Sequence, residues 1–593
     1  MMPQQLTAVS LFVLTLAPAL AAGTPSTERS ARQPNVIIIF SDDHGYTDLG
    51  IHDIDQHVDT PHMDALARGG ALMKAGYSSA PQCRPSRCGL LTGRIQNEFG
   101  FTDNKCDAGA GEGTLPRVYP PGTDMAGKPL LTIAERMKRL GYATGFSGKW
   151  HCGLNVDPDR KLDPRGRGFD DYWVAPMTSG VANFDLNGKS IPHQRKSWPG
   201  ENRVILQGKY AEAFVQKNKD RPFFLYLPIY GPHVPMIRTN DPYVKNTPLV
   251  DYPQYNDAQD EHRRLGLALI KAMDDAVGGL VATLQRYDLE QNTLILFAGD
   301  NGAPGRFDSA AIGAWNGSNN VPMRGPKGTL HEGGIRVPMF ASWKGHLKSG
   351  TVIDEMVTTL DLTATALAVA GGEMPPEFDG VNLMPRLTGT ERQINRSKAM
   401  YWDFYTGQAI REGAWKLWRN DDVTVLFNIA DDPAELTNLA WMQPERVRQL
   451  TAKLDAWTDS LLPGARYDPA GRGADMPPHF AGAPAGIKPD PRYLIPYETP
   501  KAAPYPAAVR SPGAAKPEVW ELEQPKPRNV APRKPNQRSK DQFFRTRDRN
   551  NDGAITLEEF IGNPEGRNVA ALTTRFKKLD ANSDGKLQRN ELK

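Results

Sequence analysis

Four oxygen-bearing side chains stand just after two apolar runs that lie far apart in the sequence. Asp42 and Asp43 follow one run, and Asp300 and Asn301 follow the other. Three clustered carboxylates without a cation would repel one another and raise one another's pKa values. Oxygen ligands suit a hard cation and argue against zinc or copper. The pattern therefore predicts a metal site, and Ca²⁺ is favoured over Mg²⁺ because the ligand set is large and rich in carboxylates.

Two more polar motifs follow apolar runs in the same way. Lys149 and His151 follow one run, and His233 follows another. Ligands in open α/β sheets bind beyond the carboxyl ends of the strands. If the four strands are parallel neighbours, these motifs meet on one rim of the sheet. The predicted strands are Asn35–Phe40, Ala143–Ser147, Pro222–Leu227 and Thr293–Ala298.

The segment that starts at Cys83, CRPSRCGLLTG, fits the pattern C-x-P-S-R-x-x-x-x-T-G. It resembles the segment in which type I sulfatases carry a cysteine that is oxidised to formylglycine at the export stage. The resemblance implies that Cys83 becomes the nucleophile and that a formylglycine-generating enzyme is a partner during maturation. A second phrase, RGPKGTLHEGGIRVP from Arg324 to Pro338, is similar to that family's R-G-x-K…E-G-G-x-R-V-P.

The same resemblance assigns roles to the charged residues. It implies that Lys149 and Lys327 bind the sulfate group. His151 would flank the formylglycine, and His233 would lie on the leaving-group side. Arg87 would hold the formylglycine hydrate, assisted by the positive N-terminus of the helix that carries it. Fixed positive groups aimed at developing negative charge are usually the largest catalytic contribution.

The mechanism that the resemblance implies passes through the hydrated aldehyde at position 83. A Ca²⁺ ion completes its ligand shell with an oxygen of the modified Cys83. One hydroxyl attacks sulfur, and the alcohol leaves with a proton from His233 or Lys327. The second hydroxyl loses its proton to His151, and sulfate departs, so that one hard step becomes two easier ones. We therefore expect a sulfuric ester hydrolase, with a carbohydrate sulfate ester as the default substrate.

Two places depart from the family's pattern. Cys152 stands where the family usually has Leu after Gly-Lys-Trp-His. The lead-in to Lys327 carries an unusual loop, Ala314–Asn320. We expect this loop to line the substrate pocket, with Trp315 stacked on a sugar face.

The elements that must position these residues belong to an α/β protein. Between residues 35 and 387, strand-like runs alternate with helical segments, which predicts a large, mostly parallel sheet flanked by helices. Residues 398–462 resemble the small antiparallel C-terminal subdomain of sulfatases, with one final helix. The predicted helices are Leu131–Leu140, Glu261–Tyr287 and Glu445–Leu461, and the predicted strands of the subdomain are Met400–Phe404, Trp415–Trp418 and Val423–Asn428.

The segment 463–535 is rich in proline, alanine and glycine, which predicts a stiff, extended linker. Beyond it, residues 540–593 twice fit D-x-[DN]-x-[DN]-G-x₅-E and resemble a separate helical EF-hand pair. The expected Ca²⁺ ligands are Asp548, Asn550, Asp552, Ala554, Thr556 and Glu559 in the first loop, and Asp580, Asn582, Asp584, Lys586, Gln588 and Glu591 in the second.

The two Ca²⁺ loops are expected to pair with each other. Ile555 and Leu587 occupy the positions at which paired EF-hand loops form a short β contact. The chain ends two residues after Glu591, so the second hand lacks an exit helix. A sensor needs such a helix to move. We therefore favour a structural or tethering module that attaches the protein to a surface or partner in the presence of Ca²⁺.

The start of the chain, residues 1–22, predicts a secretory signal peptide. Leu6–Leu20 is mostly apolar, and Ala19-Leu20-Ala21 supplies a cleavage site. The apolar run is too short and too broken for a membrane span. We expect an exported protein, periplasmic or extracellular. If Cys83 is modified, one disulfide can form among Cys88, Cys106 and Cys152, with the pairing left open.

Composition narrows the remaining choices. A chain of 593 residues suggests two or three domains, and a net charge of +3 without a basic stripe gives no support for a nucleic-acid partner. Two alternatives stay open. One is a phosphonate monoester or phosphodiester hydrolase on the same scaffold, and the other is a non-catalytic Ca²⁺-binding surface protein.

Overall fold

The computed structural model describes two compact units, one within Met1–Ala503 and one within Pro504–Lys593. The described residues are 33–102, 104, 130–152, 163–174, 179–197, 201–233, 240–250, 257–305, 315–404, 407–420, 423–461, 554–557, 573, 576 and 586–588. The predicted signal peptide, the linker and Cys106 lie outside these residues.

The larger unit is built from sixteen described strands and ten described α-helices. The strands are β1 (Asn35–Ser41), β2 (Ala71–Met73), β3 (Gly76–Tyr77), β4 (Ala143–Gly148), β5 (Asp171–Val174), β6 (Ser179–Phe184), β7 (Ser190–Ser197), β8 (Phe223–Leu227), β9 (Thr293–Gly299), β10 (Met339–Ser342), β11 (Thr351–Ile353), β12 (Val357–Thr358), β13 (Met400–Phe404), β14 (Gly407–Glu412), β15 (Trp415–Arg419) and β16 (Thr424–Asn428). The helices are α1 (Pro61–Gly69), α2 (Cys83–Thr92), α3 (Ile133–Arg139), α4 (Arg203–Asn218), α5 (Pro242–Asn246), α6 (Asp257–Arg286), α7 (Glu332–Ile335), α8 (Thr359–Val369), α9 (Met384–Leu387) and α10 (Pro444–Ser460). Short 3₁₀ helices cover Tyr46–Asp48, Gly50–His52, Gln96–Phe99, Pro164–Arg167 and Glu290–Asn292.

Ten strands form one large sheet in the order β11-β2-β10-β9-β1-β8-β4-β5-β6-β7. The five central strands, from β9 to β5, run parallel. Strand β10 and the pairs β5–β6 and β6–β7 are antiparallel, so the whole sheet is mixed. The predicted α/β class is confirmed, and its parallel part is the centre that carries the polar motifs.

Helices cover both faces of the sheet, which explains why its central strands are apolar throughout. In β1, Ile37 and Ile39 point into one core, which also contains Phe214 of α4 and Met273 of α6. The alternate residues point into a second core. Val36, Ile38 and Phe40 pack there with Leu90 of α2, Met137 of α3 and Leu362 of α8.

A four-stranded antiparallel sheet, β13-β14-β15-β16, follows the large sheet and confirms the predicted small subdomain. Helix α10 packs on it, because its buried residues Leu450, Leu454 and Trp457 share one core with Trp402 and Leu417 of the strands. Each predicted strand and helix of this region lies within about one residue of its observed bounds.

In the second unit, β17 (Ala554–Thr556) and β18 (Lys586–Gln588) form an antiparallel pair. Ile555 lies opposite Leu587, which confirms the β contact expected between the two loops. The other predicted EF-hand ligands lie outside the described residues: Asp548, Asn550, Asp552, Glu559, Asp580, Asn582, Asp584 and Glu591. Across the described part of the chain, no helix is both long and apolar enough to cross a membrane.

Candidate active site

The four polar motifs do meet on one rim. Strands β9, β1, β8 and β4 are consecutive neighbours in the sheet, and each is followed by one motif. Main-chain hydrogen bonds connect the loops that carry the motifs. The Asp42 N–H donates to the Gly231 carbonyl at 3.0 Å, the Asp300 N–H donates to the Ser41 carbonyl at 2.9 Å, and the Lys149 N–H donates to the Pro228 carbonyl at 2.9 Å.

Gly148, just before Lys149, is needed for this arrangement. Its φ of 145° is rarely adopted by residues with a side chain, and a Cβ there would lie 2.1 Å from the Pro228 carbonyl oxygen. The close approach lets the loop after β4 hydrogen-bond to the loop after β8. Lys149 is thereby placed next to the acidic pair that follows β1.

Cys83 lies at the centre of the motifs, as the first residue of α2, and is fully buried. Its Sγ is 3.3 Å from Asp42 Oδ1, 3.4 Å from Asp43 Oδ1 and 3.1 Å from Lys327 Nζ. Arg87, one turn further along α2, points to Asp300. The structure therefore brings the predicted nucleophile, acidic residues and lysine into direct contact.

Every carboxylate of the cluster faces a cation. Lys149 Nζ is 2.7 Å from Asp42 Oδ2, and Lys327 Nζ is 2.6 Å from Asp43 Oδ1. Arg87 donates to Asp300 Oδ2 through Nε at 3.0 Å and Nη2 at 2.6 Å. Such charge-assisted hydrogen bonds hold the acidic side chains in fixed orientations.

The rim carries a cluster of groups that could hold a metal ion. Asp42, Asp43, Cys83 and His233 offer ligand atoms that lie within 4.8 Å of one another. Asn301 donates through Nδ2 to Asp43 Oδ1 at 2.8 Å, whereas its Oδ1 is buried and has no hydrogen-bond partner among the described residues. A buried amide oxygen without a hydrogen-bond donor is energetically costly, and coordination of a cation would remove this cost.

The backbone at Asp43 is strained in a way typical of functional sites. Its φ of 57° lies in the left-handed region, which non-glycine residues seldom adopt. Three contacts maintain it: the Asp43 N–H donates to Asp300 Oδ1 at 3.0 Å, Asn316 Nδ2 donates to the Asp43 carbonyl at 2.9 Å, and Asn301 holds the carboxylate.

Burial and charge shift the pKa values of the cluster in opposite directions. Burial raises the pKa of Asp300 to about 7, and the nearby carboxylates add to this against the effect of Arg87. Burial would also raise the pKa of Asp42, but His233, Lys149 and Arg87 outweigh it and hold that pKa well below its usual range. Burial and then Asp300 and Asp43 raise the pKa of the Cys83 thiol well above its usual value.

The two predicted histidines border the cluster from different loops. His233 Nε2 is 3.6 Å from Asp43 Oδ2, and burial lowers the pKa of this ring to about 4. His151 has a φ of 55°, and its carbonyl accepts a hydrogen bond from Arg84 Nε at 3.0 Å. Burial, followed by the charge of Lys149, lowers the pKa of His151 well below its usual value. Burial therefore favours the neutral form of both rings in this state.

The expected role of Trp315 is wrong. The side chain is 1% exposed, stacks on His262, and donates its indole N–H to the Ser318 carbonyl at 2.7 Å. The loop is folded inward because its own polar side chains satisfy its backbone. Arg263, itself fully buried, adds a hydrogen bond to the Gly317 carbonyl at 2.8 Å. The loop contacts the backbone of Asp43 through Asn316, and it does not offer an aromatic face to a sugar.

The sequence analysis did not identify the residues that hold the loops of this site. Asn320 joins Ala303 through two hydrogen bonds of 2.7 and 2.9 Å, and the Lys327 N–H then donates to the Ala303 carbonyl at 2.8 Å. Arg203 and Gln207 of α4 contact residues 228–233, which follow β8. The Asn-rich composition of the loop before Lys327 was the available signal for Asn320, whereas no sequence pattern marks Arg203 or Gln207.

Comparison of the chain with protein-family models identifies its family. The "Sulfatase" model matches residues 34–372, more than half of the chain. The chain belongs to the sulfatase family. Residues 326–460 match the C-terminal model of N-sulphoglucosamine sulphohydrolase, and residues 540–561 and 573–593 match the EF-hand model. The protein is thus a sulfatase with a C-terminal EF-hand pair, and it hydrolyses sulfate esters.

Animal sulfatases are similar to this sulfatase along most of their length. N-acetylgalactosamine-6-sulfatase of Mus musculus is 31% identical over 434 residues, which cover 69% of this chain and 75% of the relative. Arylsulfatase A of Homo sapiens is 31% identical over 508 residues, which cover 74% of this chain and 90% of the relative.

Solved structures share the fold. The structure of Ps i-CgsB in complex with k-i-k-neocarrahexaose has a TM-score of 0.60 and 27% identity, and the match covers 74% of this chain and 95% of the other. Phosphonate monoester hydrolase of Agrobacterium radiobacter has a TM-score of 0.52 and 17% identity over 72% of this chain and 96% of its own, which is a likeness of fold alone.

Proposed function

We propose that this sulfatase is an exported enzyme that hydrolyses carbohydrate sulfate monoesters with a formylglycine made from Cys83 and a bound Ca²⁺. The observation that carries the proposal is the position of Cys83. Its sulfur contacts Asp42, Asp43 and Lys327 at 3.1–3.4 Å while being fully buried at the start of α2. A reactive group at this point faces the metal ligands and a cation at once.

The unmodified thiol is poorly suited to be the nucleophile. The thiolate is the reactive form of cysteine, and burial next to carboxylates raises the pKa of Cys83. Formylglycine, as its hydrate, would supply a hydroxyl nucleophile and a route for releasing the bound sulfate. Arg87 orients Asp300 behind it, so the Asp300 carboxylate stays directed towards the metal site.

Ca²⁺ is the metal that the site fits best. Asp42, Asp43, Asp300 and Asn301 would hold it through oxygen atoms, together with an oxygen of the modified Cys83. The unpartnered Oδ1 of Asn301 supports this assignment. Such an ion would offset the negative charge of the carboxylates and of the sulfuryl oxygens. Mg²⁺ is the poorer match because it demands a tighter, more regular shell.

The lysines and histidines divide the remaining work. Lys149 and Lys327 carry the positive charge that binds a sulfate group, and both already lie at ion-pair distance from the carboxylates. His151 lies beside the nucleophile, where it accepts a proton. His233 and Lys327 both contact Asp43, and one of them supplies the proton to the leaving oxygen.

Carbohydrate is the proposed substrate class because sugar sulfatases are among the relatives. N-acetylgalactosamine-6-sulfatase is 31% identical over 69% of this chain. Ps i-CgsB, at 27% identity, was solved with a bound neocarrahexaose. In a sulfated sugar, the sulfate group is the anion that the lysine-lined site would bind, and the neutral sugar ring would lie outside that site.

The decisive experiment is the mass of the tryptic peptide Ala75–Arg87, which spans Cys83 because trypsin does not cut before Pro85. Protein from the native host should give the lighter aldehyde form, and protein from cells without a formylglycine-generating enzyme should give the thiol and no turnover. Active protein that carries only the thiol would contradict the assignment of formylglycine as the nucleophile.

Comparing kcat/KM for an aryl sulfate and a matched aryl phosphodiester separates the sulfatase from a phosphodiester or phosphonate hydrolase.

Export is tested on the same preparation. N-terminal sequencing of protein from the periplasm or medium should start near residue 23. Full-length protein retained in the cytoplasm with an uncleaved Met1 would argue against export.

The EF-hand pair is proposed to bind two Ca²⁺ ions and to act as a structural or tethering module.

A further inference from the structure

We propose that Arg203 and Gln207 are positioning residues that fix His233 on the leaving-group side of the reaction. This inference deepens the proposed function and rests on it. The two side chains stand one helical turn apart on α4, so they project from the same face. Both reach the loop that runs from the end of β8 to His233.

Gln207 holds the beginning of this loop. Its side chain is fully buried, donates through Nε2 to the Pro228 carbonyl at 3.3 Å, and accepts the Tyr230 N–H at 3.0 Å through Oε1. Its own carbonyl accepts the Ser147 hydroxyl at 2.9 Å. The end of β4 and the loop after β8 are therefore both attached to one residue of α4.

Arg203 holds the same segment at His233. Its Nη2 donates to the carbonyl of His233 itself at 3.0 Å, and its guanidinium lies 4.3 Å from the centre of the Tyr230 ring. The His233 N–H donates to the Tyr230 carbonyl at 2.8 Å. The N–H and the carbonyl of His233 are thus both hydrogen-bonded, and its ring is directed towards Asp43.

The consequence for chemistry is specific to the bond that breaks. When an oxygen of the nucleophile at position 83 bonds to sulfur, the S–O ester bond breaks and its electron pair moves to the leaving oxygen. A hydrogen bond from His233 stabilises that charge. The benefit grows with the basicity of the leaving group. Loss of the Arg203 contact should therefore harm poor leaving groups more than good ones, which general loosening of the fold would not do.

The test compares phenyl sulfate, with a poor leaving group, and para-nitrophenyl sulfate, with a good one. Arg203→Met keeps an unbranched side chain and removes the guanidinium, which supplies both the hydrogen bond to His233 and the contact with the Tyr230 ring. We expect kcat/KM for phenyl sulfate to fall about 10- to 100-fold, as for a misplacement of about 1 Å, and for para-nitrophenyl sulfate less than about 3-fold. Arg203→Lys should recover part of the loss because one donor remains. Lys209→Met, an exposed change on the same helix, is the matched control.

A double-variant cycle shows whether Arg203 acts through His233. In a His233→Ala background, Arg203→Met should cause no further loss with phenyl sulfate. Equal losses on both substrates, an additive loss in that background, or unchanged kinetics would overturn the inference. Gln207→Met, checked for folding by its melting temperature, should repeat the leaving-group pattern. If the unaltered enzyme hydrolyses neither the aryl sulfates nor a sulfated sugar, the proposed function fails instead.

Discussion

Lys416 and Glu332 form a fully buried ion pair, with 2.9 Å between Nζ and Oε1, at the contact between the small sheet and the segment that carries Lys327. Lys416 Nζ is also 2.9 Å from Glu435 Oε1, and the Glu332 N–H donates to Glu435 Oε2 at 2.8 Å. The single lysine therefore joins two buried carboxylates. Through them it anchors α7, which begins five residues after Lys327.

Lys416→Met should destabilise the protein by about 3–5 kcal/mol, because it leaves buried carboxylates without their main cation. Urea unfolding at neutral pH measures the change. Lys453→Met, which removes an exposed pair with Glu412, is the matched control and should change stability by less than about 0.5 kcal/mol. Equal effects of the two variants would show that the buried network contributes no more than a surface pair.

Asn301→Ala should weaken Ca²⁺ binding at the active site by at least the ~10–100-fold that loss of an outer-shell partner costs. Proteins with Asn301 and with the Asn301→Ala change are compared, and both also carry Glu559→Gln and Glu591→Gln. These two changes remove the contribution of the EF-hand loops to Ca²⁺ binding. Ca²⁺ is titrated after EDTA treatment, and the melting temperature is followed together with aryl sulfatase activity. Equal Ca²⁺ dependence with and without Asn301 would exclude it as a ligand.

The centre of the fold and the charged residues of the site could be predicted from the sequence because both leave local signals. A parallel strand buried on both faces is an unbroken apolar run, and Asn35–Ser41 and Thr293–Gly299 match the predicted runs closely. Parallel neighbours then place Asp42, Asp300 and Lys149 on one rim, as expected.

The supporting contacts could not be predicted, because they join residues that are far apart and follow no period. Lys416 pairs with Glu332 across 84 positions, and Arg203 reaches His233 across 30. Trp315 was misjudged for a related reason. A polar, Asn-rich loop normally indicates a surface, but here Arg263 and the loop's own side chains satisfy its backbone and allow burial.

Glu98→Gln should raise stability at pH 8 and leave it unchanged at pH 4. Burial, followed by the nearby Asp379 carboxylate, raises the pKa of Glu98 from 4.5 to about 7. A carboxyl with a raised pKa favours the folded state while it is protonated, so stability is lost as the pH rises from about 4.5 through 7. Melting temperatures from pH 4 to 8 test this. The surface variant Glu377→Gln should show no such gain, and a pH-independent effect of Glu98→Gln would contradict the argument.

Trp315→Ala should lower stability by about 3–5 kcal/mol, as expected for a large buried side chain, without a specific change in KM. The control is Trp441→Ala, since Trp441 is 77% exposed. That variant should leave the melting temperature nearly unchanged. A higher KM for a sulfated sugar at an unchanged melting temperature in Trp315→Ala would instead restore the sugar-stacking role.

The EF-hand pair is expected to bind Ca²⁺ independently of catalysis. Glu559→Gln and Glu591→Gln each remove the charge of the bidentate ligand, so each should lower the Ca²⁺ stoichiometry by one ion per chain. The short pairing of Ile555 with Leu587 couples the loops, so the remaining site should also bind more weakly. Calorimetric titration gives the stoichiometry, and para-nitrophenyl sulfate turnover in saturating Ca²⁺ should not change. A parallel fall in turnover would mean that the pair supports the active site, and unchanged stoichiometry would mean that the loops do not hold Ca²⁺.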